Sequence, residues 1–254
     1  MAETDGSEAE ARDVGRALIK LLTDQPELAA LLPDGYVERA VAYAGLLLEA
    51  NRRLNLTRVT DPGEVARLHL LDALAALPLL DAAAPSTALD LGSGGGVPGI
   101  PLALARPAVR WLLVDSVRKK AEVLGSMVGE LGLANVTIVT ERAELLGRAD
   151  DHRERYDLVA ARACAALPVL AELALPLLAV GGILVAWKGP LAAGDTELER
   201  GSAAIGELGG GPADLRPAGP AALGGHTFVV VRKERPTPPR YPRRPGEPSR
   251  RPLG

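Results

Sequence analysis

Apolar residues recur at helical spacing through the first third of the chain and at strand spacing after it. Over residues 8–23, Val14, Ala17, Leu18, Leu21 and Leu22 make one stripe; over 36–54, Val37, Val41, Ala44, Leu47 and Leu48 make another. Residues three and four apart lie on one side of an α-helix, so each stretch predicts an amphipathic helix. A third helix is expected to start at Asp61-Pro62-Gly63-Glu64. There Asp accepts from the free backbone N–H groups and Pro has the φ of a first turn. This helix is expected to run toward Leu77 and to stop at Pro78.

After Pro85 the period shortens. Apolar runs at 87–91, 109–114, 136–140, 156–160, 183–187 and 227–231 alternate with segments of helical period. The segments between the first five runs are long enough for crossover helices, which predicts a parallel, doubly wound α/β sheet. The most apolar window, 167–187, contains Glu172, two prolines and Gly181-Gly182. It reads as a core helix followed by a core strand, not as a membrane span. The stretch 189–225 is rich in Gly, Ala and Pro, with a helix expected around 195–208 and a weak strand near 214–216. The run 227–231 reads as an antiparallel edge strand. From Pro236 onward, prolines and arginines leave no regular period, and no regular structure is expected there. The chain shows no internal repeat.

The junction after the first predicted strand carries the clearest chemistry. Residues 89–101 read LDLGSGGGVPGIP: a strand ending in Asp90, a turn with glycine at 92, 94, 95, 96 and 99, and an apolar helix start. Glycine permits positive φ and lets a ligand approach the main chain closely. A strand, a glycine turn and a helix N-terminus form a nucleotide crevice at the carboxyl edge of a parallel sheet. Gly94-x-Gly96-x-x-Gly99 fits the dinucleotide pattern. The fuller spacing, Asp90-x-Gly92-x-Gly94-x-Gly96, looks like the S-adenosylmethionine loop of Rossmann-like methyltransferases. A carboxylate there can reach toward an ammonium group, which that cofactor carries and NAD lacks. No Gly-Lys-Ser/Thr follows, so a P-loop is not expected.

Composition sharpens this picture. The chain has 254 residues, 47% apolar but only 3% aromatic, so its core must be Leu, Val, Ala and Ile. Charge is uneven: from Arg232 onward eight basic residues face two acids, a local +6 in a chain of net −3, which leaves −9 elsewhere. An acidic body with a basic tail suggests an anionic partner at the tail, the alternative being a solvated end. The lone Cys164 excludes an internal disulfide and a cysteine-based metal cluster, and no metal site is expected. The polar, acidic first residues are unlike a secretory leader, so a cytoplasmic protein with no membrane partner is expected.

Side chains with candidate chemistry fall at the ends of the predicted strands. Asp115 ends the second, at the spacing from the glycine turn where an acid holds ribose hydroxyls; it can equally cap the helix that follows. Arg118, Lys119 and Lys120 come next, as a solvated helix face or as phosphate contacts. Arg142-Ala143-Glu144 follows the third strand; Ala is small enough to leave room for a base, and Glu144 is either an acceptor for its amino group or a surface acid. The fourth strand runs into Ala161-Arg162-Ala163-Cys164. Arg162 puts a cation where a substrate would enter, or pairs with a nearby acid. Cys164 lacks the Pro-Cys or Thr-Cys setting of a cytosine-C5 nucleophile and reads as buried packing. The Asn-Pro-Pro-aromatic signature of enzymes that methylate exocyclic amino groups is absent. His69 and Asp72, three apart, share a helix face.

Several further motifs occur in order: Asn55-Leu56-Thr57, His69-Leu-Leu-Asp72, Asp115-Ser116-x-x-Lys119-Lys120, Ala161-Arg162-Ala163, Lys188-Gly189 and Tyr241-Pro242-Arg243-x-x-Gly246-x-Pro248. Together with the glycine turn they closely resemble the bacterial small-subunit ribosomal RNA guanine-N7 methyltransferases, the RsmG or GidB family. The resemblance runs from about Tyr36 to the C-terminus. It implies a class I methyltransferase fold: a mostly parallel seven-stranded sheet with helices on both faces (85–234), an N-terminal helical cap (1–84) and a basic tail (235–254). It implies S-adenosylmethionine as methyl donor and a guanine of 16S RNA in the small ribosomal subunit as acceptor, with no DNA partner and a monomer favoured. The implied cofactor contacts are Gly92, Gly94, Val97, Asp115, Ala143, Glu144 and Arg162; Val97 stands where the family usually has Phe. RNA contacts are expected from Lys119, Lys120, Lys188, Arg240, Tyr241 and Arg243, with Tyr241 as a stacking surface. Guanine N7 has a lone pair and no proton, so direct attack on the methyl needs no general base, and no acid–base catalytic residue is expected. A small-molecule methyltransferase is the alternative reading.

Overall fold

The computed structural model describes residues 2–191 and 194–254, with side chains from Glu8 onward. Its first third is helical: α1 (Ala2–Thr23), α2 (Pro26–Ala29), α3 (Tyr36–Leu54), α4 (Pro62–Val65), a π-helical segment (Ala66–Leu71), α5 (Asp72–Leu74) and α6 (Leu77–Ala83). The stripes expected on α1 and α3 are buried, with Val14, Leu18, Ala44 and Leu47 fully enclosed. Asp61 caps α4 as expected, accepting from Glu64 N at 2.9 Å. Pro78 does not end a helix; it sits in the first turn of α6, where an intrahelical N–H is not needed.

The remainder winds a seven-stranded sheet. In chain order it runs β1 (Thr87–Leu91), α7 (Gly99–Ala105), β2 (Arg110–Asp115), α8 (Arg118–Glu130), β3 (Val136–Thr140), α9 (Ala143–Leu146), β4 (Tyr156–Arg162), α10 (Leu167–Ala174), β5 (Leu178–Lys188), α11 (Thr196–Glu207), β6 (Asp214–Pro217), β7 (Thr227–Arg232) and α12 (Glu247–Arg250). The spatial order is β3-β2-β1-β4-β5-β7-β6. The first five strands are parallel, and β7 runs antiparallel between β5 and β6. So β7 is not the edge strand it was expected to be. The weak run 214–217 takes the edge, paired to β7 from Asp214 to Pro217, a position where a proline's missing donor is tolerated.

Strand alternation divides the core in two. Ala88, Trp111, Leu113, Leu158, Ala160, Val185 and Phe228 face one side, where they pack with α1, α3, the π segment, α7 and α8. Leu89, Leu112, Val114, Val159, Leu184, Val229 and Val231 face the other, against α10, α11 and the C-terminal tail. Successive side chains on a strand point to opposite faces, so each buried strand feeds both cores. The N-terminal helices therefore share one continuous core with a face of the sheet.

The tail packs against the body, and its one helical turn, α12, departs from the expectation of no regular structure. Prolines cannot donate, so the segment has no ladder of its own, and its carbonyls must find donors elsewhere. Two arginines between α9 and β4 supply them. Arg148 donates to Pro242 O at 2.7 Å and Arg240 O at 3.0 Å. Arg153 donates to Tyr241 O and Thr237 O, each at 2.8 Å. Arg243 makes a multidentate pair with Glu172, which is fully buried on α10. Lys233, also fully buried, spends its ammonium on Glu154 at 2.7 Å and the carbonyls of Leu175 and Leu178 at 2.7 and 2.9 Å. The glycine-rich stretch before β6 lets this packing close: a Cβ on Gly209 would stand 2.3 Å from Arg235 O.

Breaking a buried pair leaves an uncompensated charge, at a cost of about 3–5 kcal/mol. Arg243→Ala is expected to lower the unfolding free energy by about that amount in urea denaturation. The same change at exposed Arg244 is expected to stay within about 0.5 kcal/mol.

Candidate active site

The glycine turn lies at the carboxyl edge of the sheet, between β1 and α7, and two carboxylates hold it. Gly92, Gly94 and Gly96 have φ of 76°, 55° and 94°, a region that strains any side chain. Asp115, at the end of β2, accepts from Gly94 N at 3.0 Å and Val117 N at 2.8 Å. It thus braces the turn and the start of the following helix together. Asp90 Oδ2 accepts from Gly99 N at 3.0 Å, while its Oδ1 is buried without a partner. Asp90 is fully buried beneath the turn. It supports the turn from below instead of extending toward a ligand, because alternation along β1 sends its side chain under α7. The N-terminal helices press on the same loop: Tyr43 Oη donates to Gly95 O at 2.8 Å, and a Cβ on Gly95 would meet Leu47 at 2.7 Å.

Arg162 ends β4 and is the hub of the site. It donates to Leu68 O, to Asp72 Oδ2 at 3.3 Å and to His69 Nδ1 at 3.1 Å. The π segment carries His69 and Leu68 to Arg162, and Asp72 follows at the start of α5; such segments are frequent at functional sites. His69 Nε2 meets Thr57 Oγ1 at 2.8 Å. Since Nδ1 accepts from the guanidinium, Nε2 carries the proton, and both ring nitrogens are engaged. Burial, then the Arg162 charge, pushes His69 down to about 4. On the far side, His226 Nδ1 lies 3.0 Å from Asp72 Oδ1.

Two cavities meet at Arg162 and Ala163. A smaller one of about 160 Å³ follows the glycine turn past Gly92, Gly94, Val97 and Thr57. A larger one of about 420 Å³ opens over the ends of β4 and β5, lined by Cys164, Trp187, Lys188 and His226 among others. The expected packing role of Cys164 gives way to a place at this rim. The residue is exposed there, with Sγ 3.2 Å from where a Gly92 Cβ would be. The packing around Sγ and, with it, the Asp90 and Asp115 carboxyls nearby hold its thiol above the ordinary range.

The other expected site residues divide. Glu144 is buried; its Oε1 accepts from Arg142 at 2.8 Å and from Gly246 N at 2.7 Å, tying the loop after β3 to the tail. Burial alone would raise this carboxyl, but those hydrogen bonds hold it below its ordinary range. Ala143 is half-buried beside it and Val97 is buried. Lys119 is exposed and Lys120 half-buried. Lys188 is paired with Glu197 at 2.6 Å. Arg240 pairs with Glu207 at 3.0 Å and lies over the Tyr241 ring. Tyr241 is no stacking surface: its ring is buried in the core facing α10 and its hydroxyl donates to Glu207. Arg243 is likewise committed, to Glu172. The tail's expected anionic partner is, in these places, the protein's own carboxylates. The sequence reading passed over His226; the signal was there in one of only three histidines, set beside two glycines just before a strand.

A family model described as GidB, rRNA small subunit methyltransferase G, matches residues 36–207. The chain belongs to this family. The ribosomal RNA small subunit methyltransferase G of Deinococcus radiodurans is 44% identical over 240 residues, covering 94% of this chain and 93% of its own. That of Moorella thermoacetica is 39% identical over 235 residues, covering 91% and 93%. Among solved structures, the O-methyltransferase TomG from Streptomyces achromogenes, in complex with SAM, aligns with a TM-score of 0.53 at 21% identity, over 76% of this chain and 90% of that one. That likeness is one of fold. Among the described residues no helix is long and apolar enough to cross a membrane.

The residues of the family turn fit S-adenosylmethionine. Each carboxylate oxygen has two lone pairs, and Asp115 uses one on each within the protein, leaving acceptor sites for two sugar hydroxyls. A Cβ on Gly94 would have only Gly92 O for company, at 3.9 Å, so this main chain stands open to a ligand.

Burial pushes the Asp90 carboxyl up to about 7. A carboxyl raised on folding takes up a proton that the unfolded chain releases. Its contribution to stability is therefore full below about pH 4 and is lost as pH rises through about 7. Asp90→Asn is expected to flatten that decline in urea midpoints measured across the interval; an unchanged slope would assign the titration elsewhere.

Proposed function

We propose that this chain transfers a methyl group from S-adenosylmethionine to N7 of a guanine in the 16S RNA of the small ribosomal subunit. One observation carries the reading: a chain of this family keeps the glycine turn intact, with Asp115 holding unspent acceptor sites beside it. The relatives that share nine-tenths of its length bear the ribosomal RNA name, which favours RNA over a small-molecule acceptor.

When bound, the cofactor supplies a methyl group on a positively charged sulfur. The protein's task is then binding and orientation. N7 carries a lone pair and no proton, so holding it in line with the methyl supplies the catalysis. The side chains at the junction of the cavities suit this task. His69 is neutral with both nitrogens engaged, and Cys164 remains a thiol. Gly92, Gly94 and Val97 line the smaller cavity, with Asp115 bonded to Gly94 N beside it; Ala143 and Glu144 serve the adenine side, with Arg162 between donor and acceptor. Exposed Lys119 and half-buried Lys120, at the start of α8, offer phosphate contacts, whereas Lys188 and Arg240 are paired with Glu197 and Glu207.

A charge-assisted hydrogen bond contributes about 1.5–3 kcal/mol. Asp115→Asn is thus expected to weaken cofactor binding about 10- to 100-fold in calorimetry, with no binding of NAD by either form. Mass spectrometry of ribosomal RNA from cells lacking the protein should show one N7-methylguanine missing from 16S RNA; an unchanged methylation map would refute the assignment. The pH–rate profile is expected to lack a steep limb near neutrality, since no side chain must gain or lose a proton.

A further inference from the structure

Asp72 has two oxygens and two partners, and the second partner is the one the proposed reaction leaves unexplained. Oδ2 holds Arg162; Oδ1 holds His226 Nδ1 at 3.0 Å. An ionised carboxylate only accepts, so Nδ1 of a neutral His226 carries the proton and Nε2 is left as an acceptor. No partner engages Nε2 among the described residues, and the half-buried ring lines the larger cavity. Its backbone is fixed as well: His226 O accepts from Ala218 N at 2.9 Å, and the next residue, Thr227, opens β7 opposite Lys188.

We infer that His226 is the residue that reads the target base, accepting a hydrogen bond from the N1–H of guanine. The inference rests on the guanine-N7 reading above. The sheet order sets the span. The end of β4 lies two strand spacings, about 10 Å, from the start of β7, with β5 between them. With N7 turned toward the junction at Arg162, a purine directs its Watson–Crick edge along this span toward His226, closing it with one hydrogen bond. The neighbouring groups complement the rest of guanine. Arg162 spends three of its five N–H donors on Leu68, Asp72 and His69, so donors remain for O6, the acceptor adjacent to N7. Adenine presents an N1 lone pair where guanine presents N1–H. Against an imidazole locked as acceptor, that is a clash of lone pairs. Methylation at N7 also places positive charge on the purine and makes N1–H a stronger donor. The bond to Nε2 therefore tightens as the reaction proceeds and favours the transition state over the ground state.

The test combines enzyme variants with a substituted substrate. Small-subunit RNA is prepared with guanine or 1-methylguanine at the target position; the latter keeps N7, O6 and the 2-amino group but replaces N1–H with N1–CH3. Wild type is expected to prefer guanine at least tenfold in kcat/KM. His226→Phe, which keeps the ring shape and removes the acceptor, should lose about tenfold or more on guanine, collapse the preference, and bind S-adenosylmethionine as wild type does in calorimetry. His226→Gln, which restores an acceptor oxygen, should recover part of the guanine rate. Equal guanine activity in His226→Phe, or a preference that survives it, overturns the inference. So does a parallel loss of cofactor affinity with no rescue by His226→Gln, which would mark a structural role. Failure of wild type to methylate guanine N7 in any such RNA would instead sink the function on which the inference rests.

Discussion

The site depends on backbone N–H groups that have no strand or helix partner. In the glycine turn Gly92 N and Ser93 N bond to Val114 O and Gly96 N to Ser93 O, which leaves Gly94 N and, at the start of α7, Gly99 N to two carboxylates. Asp115 takes Gly94 N from the neighbouring strand, and Asp90 takes Gly99 N from beneath. Each is aimed by the sheet: one by the end of β2, the other by the alternation of β1. Because both are buried and hydrogen-bonded to main chain, the crevice has its shape before any ligand arrives, and ligand binding need not meet the cost of ordering it.

That rigidity extends into the N-terminal helices. Tyr43 donates to Gly95 O, and Leu47 packs where a side chain on Gly95 would have to go. The helices expected as a cap are thus one wall of the crevice as well as one layer of the core. The π segment continues the wall. It delivers His69, and α5 delivers Asp72, to Arg162, so that a cation at the end of β4 is held by a histidine, a carboxylate and the Leu68 carbonyl at once. A guanidinium so fixed loses little freedom on meeting a substrate, which suits a residue standing between two cavities.

The basic tail shows how composition misleads when charge is counted without partners. Lys233, Arg240 and Arg243 contribute to the local excess of +6, yet each finds a carboxylate of the protein within 3.0 Å. The proline-rich backbone, unable to bond to itself, is held by Arg148 and Arg153 from a loop some ninety residues earlier in the chain. The tail fastens the loop after β3 through Gly246 and Glu144, and so belongs to the architecture that positions the site.

What the sequence determined by itself was local. Alternation and helical period fix each segment's hydrophobic faces within a few residues, so the strands, α1, α3 and the Asp61 cap were legible. The glycine turn, with Asp90 and Asp115 at strand ends, was legible for the same reason: its spacing is the chemistry. What only the tertiary structure decided was pairing across distance. Nothing local could enclose the Tyr241 ring or seat Arg243 on Glu172. Nor could it join His226 to Asp72 across 154 residues. Such contacts depend on which strands lie side by side and which carbonyls are left without donors, and those are properties of the folded chain rather than of any stretch within it.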